Sequence, residues 1–146
     1  MRTIFILYFL YYIYKTIKNT PINLNEAKYK EFIQKSSDNI EITMARFPAE
    51  YQDYLISISI SISVFCMLLH AIICIYVGIM SYFPIVEIVC GLEAVCTIYG
   101  ALAHYKEAYG VLTGTEKIVY HKFEARFCMI LSYVCYTLVL VSLLAF

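Results

Sequence analysis

The chain has 146 residues, 62% of them hydrophobic, with a mean hydropathy of +0.72, and its 11 basic and 11 acidic residues cancel. That leaves room for one membrane domain, residues 1–146, and none for a separate soluble catalytic module. With no polybasic tail or basic face, nucleic acid is not expected as a partner; the lipid bilayer and other membrane subunits, or further copies of the chain, are.

The first apolar run follows Met1-Arg2 and extends from Thr3 to Tyr14. A charged start before an apolar run also describes a signal peptide, but no small-x-small cleavage site follows. Lys15 and Lys18 come next, and because lysine stems snorkel to the headgroups, residues 2–18 just span a thin bilayer. A helix lying in the interface is the alternative. Tyr8, Tyr11 and Tyr12 share one face of this helix.

Residues 19–54 read as a polar loop carrying one short cytoplasmic helix. Asn23 and Glu26 open it, Glu26–Lys30 and Glu31–Lys35 support it as i,i+4 pairs, and Ser36-Ser37-Asp38-Asn39 breaks it. From Ile40 to Phe47 the pattern fits a helix and a strand equally. Pro48 suits the first position of the helix that follows.

Three longer apolar stretches, Leu55–Met80, Phe83–Ala103 and Phe127–Phe146, each reach the roughly 20 residues that a bilayer-crossing helix needs. The alternation Ser57-Ile58-Ser59-Ile60-Ser61-Ile62-Ser63 has a strand's period, but an isolated strand in lipid leaves its backbone unsatisfied, so a helix is expected. The short connection Ser81 to Pro84 makes the second and third spans a tight hairpin. A second polar loop, 104–126, has a helix stop near Gly110 and capping-box spacing over Thr113-Gly114-Thr115-Glu116 that would start the last helix. The expected fold is therefore an all-α membrane bundle of four spans, at about 2–18, 55–80, 83–103 and 127–146.

Ten basic residues lie on one side, Lys15 and Lys18 at the end of the first span and eight in the two polar loops, and only Arg2 lies on the opposite side. By the positive-inside rule the loops face the cytoplasm, or its organellar equivalent, and both termini lie on the non-cytoplasmic side of the plasma, inner or organelle membrane.

Polar residues inside the spans are the candidates for function. Ser59, Ser63, Cys66, His70 and Cys74 are spaced by four, three, four and four, which sets them on one face of the second span. Cys90, Glu93 and Thr97 do the same on the third, and Ser132 and Cys135 on the fourth. Such polar and small faces build the seam of a membrane bundle. Glu93 stands out, since a carboxylate at mid-span costs about 2.5–3.5 kcal/mol on insertion scales.

Helical rise sets depth. His70 lies about 15 Å below Met80, Glu93 about 13.5 Å below Pro84, and Tyr136 about 15 Å from Phe146, so the three share a layer. Glu93, His70 and Tyr136 are thus the candidate intramembrane polar group or proton/ion site. His104 is about 15 Å deeper than His70, which rules out one haem iron bound by both. The six cysteines lack C-x-x-C spacing, so no metal or cofactor is expected. No nucleophile–histidine–acid set is recognisable either, and no enzyme is expected. Two functions remain: a subunit or scaffold of a membrane complex, or a small proton- or ion-coupled transporter or channel using Glu93 and His70.

Overall fold

The computed structural model describes residues 2–112 and 118–145, and among these every regular element is an α-helix. There are five: α1 (Arg2–Leu24), α2 (Glu26–Met44), α3 (Ala49–Met80), α4 (Pro84–Leu112) and α5 (Lys122–Ala145). Three of them, α3, α4 and α5, are long and apolar enough to cross a membrane. Only 22 to 28% of their most apolar stretches is buried inside the protein. Ile62, Phe65, Ile72, Ile88, Val95 and Ile130 all point outward. This exposed apolar surface suggests a membrane location, and the polar side chains Glu93 and His70 are inside.

α1, at 23 residues, is about 34 Å long, but Lys15, Lys18, Asn19 and Asn23 keep it outside the set of three. It nevertheless packs along α5 and delivers Phe9, fully buried, to the same core as Cys74, Val77, Val86, Cys90, Tyr136 and Val139. The helices pair as α3 with α4 and α1 with α5, and α4 packs on α5 to join the pairs. α3 and α4, linked only by residues 81–83, come close at Gly78, where an added Cβ would lie 2.9 Å from the Cβ of Cys90. Small residues at such crossings let membrane helices meet backbone to backbone.

Much of what reads as loop is helical. α1 continues through Pro21 to Leu24, and the hydroxyls of Thr16 and Thr20 fold back onto the carbonyls of Tyr12 and Thr16. The opening of α2 is set by Asn25 rather than Asn23: its side chain accepts from the amides of Ala27 and Lys28. The expected break at 36–39 does not occur. Ser36 donates to the carbonyl of Phe32 and Gln34 to the carboxylate of Asp38, so the turn-forming groups are satisfied along the helix, and the helix is 19 residues rather than short. Of the ambiguous stretch Ile40 to Phe47, residues 40–44 are helix and 45–47 turn and bend, and Glu26–Lys30 closes at 2.6 Å near the start of α2.

Pro48 precedes α3 as its N-cap, one residue earlier than the sequence suggests. The serine–isoleucine alternation lies in continuous helix, Ser61 donating to the carbonyl of Ser57. α4 runs through Gly110 to Leu112. The capping box at 113–116 lies outside the described residues, and α5 begins at Lys122.

Candidate functional site

Four helices send one side chain each into a single hydrogen-bonded chain. The Tyr8 hydroxyl of α1 is 2.7 Å from Nδ1 of His70 on α3. Nε2 of the same ring is 2.9 Å from the hydroxyl of Tyr136 on α5, which donates in turn to Oε1 of Glu93 on α4 at 2.9 Å. Ser132, one turn before Tyr136, donates to the same carboxylate oxygen at 2.8 Å. With His70 neutral and carrying its proton on Nε2, each member donates once to the next, from Tyr8 to Glu93. Glu93, His70 and Tyr136 are each only 4% exposed.

Glu93 and His70 thus communicate through Tyr136 and not by direct contact. The Tyr136 hydroxyl, reaching in from α5, bonds to both of them. No buried side-chain nitrogen or oxygen among the described residues lacks a hydrogen-bond partner, which in low dielectric avoids the several-kcal/mol penalty of an orphaned polar group.

Aromatic rings wall the site. Tyr12 stacks on His70 with centroids 4.1 Å apart and planes 14° from parallel, and Tyr136 meets the imidazole edge-on at 5.6 Å. Lys15, also on α1, lies 5.6 Å above the centroid of the Tyr12 ring. On the side toward Met80, Cys74, Cys90 and Cys135 close the site, with the Cys90 and Cys135 sulfurs 3.7 Å apart and Cys74 3.5 Å from Nε2 of His70. Phe9, Val77, Val86 and Val139 belong to the same buried apolar cluster.

The remaining seam residues divide. Ser132, Cys74, Cys90 and Cys135 adjoin the polar chain. Ser63 is half-buried and meets His104 across α3 and α4 at 3.4 Å, while Thr97 is half-buried on α4. Ser59 and Cys66 are exposed. Periodicity puts Ser59, Cys66 and His70 on one face, but coverage of that face changes along the helix. Toward the start of α3, α1 stays on α5, where Thr20 and Tyr133 share a hydrogen bond of 2.8 Å, and leaves that side of α3 open.

The sequence pattern did not single out Tyr8 and Tyr12 as partners of His70. Depth would have found Tyr12, which is ten residues, or about 15 Å, past Arg2 and so in the layer of His70. Tyr11, on the face shared with them by rough spacing, is exposed.

At the α2 end, Tyr120 donates to the carbonyl of Asn23 and its ring lies 5.2 Å from that of Tyr29. Burial there, with Glu107 and Tyr120 adding to it, raises the Tyr29 phenol above its usual range. No cluster of three or more metal-ligating side chains occurs among the described residues. Comparison with protein-family models, with curated proteins and with solved structures gives no match.

Proposed function

We propose that this protein is a small multi-pass membrane protein that serves as a subunit or scaffold of a membrane complex. In this reading α1 is a fourth span, α3 and α4 form a transmembrane hairpin, and both termini lie on the non-cytoplasmic side opposite the basic residues of α2 and of the α4–α5 connection. What carries it is the closure of the polar chain: Tyr8, His70, Tyr136, Ser132 and Glu93 satisfy one another across four helices, beside the buried cluster of Phe9 and valines. Such a network fixes the mutual register of helices that lipid alone would not distinguish. α2 supports the partner half of the reading, since it buries none of its 19 residues and leaves Phe32 and Ile42 exposed.

A second reading, proton- or ion-coupled transport, is favoured by one observation. Ser59 and Cys66 are exposed on the face of α3 that leads to His70, giving the polar chain an open polar approach from the α2 end. Intramembrane ionisable groups commonly mark such paths.

The substitution Glu93→Gln separates the two. Glutamine keeps the Oε1 acceptor for Ser132 and Tyr136 but cannot titrate. As a scaffold, the variant assembles normally and co-purifies with the same stoichiometric partners in mild detergent. A lone homo-oligomer whose pH-gradient-driven flux in liposomes disappears with Glu93→Gln would overturn the scaffold reading in favour of transport.

A further inference from the structure

At the end of the protein opposite α2, a half-open groove of about 330 Å³ lies between the start of α1, the end of α3 and the end of α5. Phe5, Tyr76 and Leu143 give it apolar walls, and Arg2 lines it as well. Ser81 and Ser142, their hydroxyls 3.0 Å apart, tie the end of α3 to that of α5 along its edge. Phe5 and Tyr76 pack with centroids 5.8 Å apart, so the α1–α3 wall is formed without a ligand.

We propose that this groove holds one acyl chain of an anionic phospholipid whose phosphate is bound by Arg2. The inference rests on the membrane-spanning reading above. The groove's volume is at the low end of the roughly 300–1,000 Å³ of small-molecule sites, enough for part of one chain and not for a whole lipid. Charge complementarity chooses the head. Ten of the 11 basic residues lie beyond residue 14, and Arg2 is the one at this end. No carboxylate among the described residues pairs with it; the ion pairs found are Glu26–Lys30 and Glu107–His121, both at the far end. The acid nearest this end on α4, Glu87, is exposed. A guanidinium presents a fixed fork of donors that matches a phosphate bidentately, and its stem lies along apolar surface while the head reaches the interface. The groove therefore offers an apolar slot together with a cation that no carboxylate among the described residues neutralises, the two features that a phospholipid's chain and phosphate require.

The test is native mass spectrometry of the detergent-solubilised protein with added phosphatidylglycerol, phosphatidylcholine or oleate. One basic side chain at a membrane surface is worth about a five-fold preference for an anionic lipid, so the phosphatidylglycerol adduct should exceed the phosphatidylcholine adduct by about that factor. Arg2→Gln should bring the ratio to near one, Arg2→Lys, which keeps the charge but not the fork, should leave it between that and the natural value, and Leu143→Trp, which fills the slot, should remove both adducts with an unchanged far-ultraviolet circular dichroism spectrum. Equal adducts of the two lipids, a preference indifferent to Arg2→Gln, or oleate displacing phosphatidylglycerol would each overturn the proposal. Extraction of the protein from membranes by alkaline carbonate would instead defeat the membrane reading on which it stands.

Discussion

Removing a single oxygen tests the polar chain most directly. Tyr136→Phe keeps a buried ring that still packs on Phe9, where the centroids are 5.8 Å apart, and deletes the hydroxyl that joins His70 to Glu93. Two hydrogen bonds go. Side-chain bonds between helices in a bilayer are worth about 0.6 kcal/mol each on average and up to about 1.7, so the expected loss is about 1–3 kcal/mol. The upper half of that range is favoured because the substitution leaves Nε2 of His70 with only the Cys74 sulfur at 3.5 Å, whereas Glu93 retains Ser132. Tyr133→Phe, which breaks one partly buried bond to Thr20, should cost about 0.6 kcal/mol and serves as the control. The protein has no tryptophan, so unfolding by sodium dodecyl sulfate in mixed micelles is followed by far-ultraviolet circular dichroism. The same assay carries a double-mutant cycle between His70→Ala and Glu93→Gln. Because their link runs through Tyr136, coupling measured in the natural background should vanish, to within the roughly 0.3–0.5 kcal/mol of ordinary additivity, once Tyr136→Phe is added. A loss no greater than that of Tyr133→Phe, or coupling that survives Tyr136→Phe, would refute the bridging role.

The helix crossing and the cap give two further expectations. Gly78→Ala should destabilise by about 1–3 kcal/mol, because its Cβ would sit 2.9 Å from the Cys90 Cβ and 3.4 Å from the Glu87 Cα, atoms that shift only if α3 and α4 part; Gly91→Ala, with nothing within 4 Å, should be neutral or gain up to about 1 kcal/mol from helix propensity, and the same micelle titration reads both. Asn25→Ala should cost about 1 kcal/mol of local stability at the start of α2, seen as faster amide exchange at Ala27 and Lys28 with the exchange of α3 and α5 unchanged.

Hydropathy made α3, α4 and α5 legible because length and apolar character are local properties of the chain. The layer shared by His70, Glu93 and Tyr136 was legible for a related reason: rise per residue is fixed, so depth follows from counting once the ends are known. What counting does not give is which helix lies beside which. Tyr8 and Tyr12 reach His70 because α1 crosses between α5 and the end of α3, a fact of assembly that no single-helix period contains. The same gap explains Ser59 and Cys66, which share the face of His70 yet are exposed because no helix covers that part of it. The misread break at 36–39 has a different origin. Serine, aspartate and asparagine favour turns by offering the backbone local partners, but at i−4 spacing Ser36 offers one to the helix itself, through the carbonyl of Phe32.

These differences converge on how the two helix pairs are joined. α3 with α4 and α1 with α5 each meet along much of their length, but the side chains that connect one pair to the other concentrate at the level of His70 and Tyr136. Below that level the pairs draw apart on the Ser59 side; above it they close over cysteine and valine. A junction built mainly of apolar contacts would slide at little cost in lipid, since a leucine facing another helix gains little over a leucine facing an acyl chain. A junction of directional bonds does not slide, because moving either pair by one turn, about 5.4 Å, breaks the Tyr8–His70, His70–Tyr136 and Tyr136–Glu93 bonds together. In the membrane reading proposed above, the insertion cost of Glu93 is therefore offset where it specifies a single register, and the carboxylate within the apolar helices becomes the group that fixes how they are arranged.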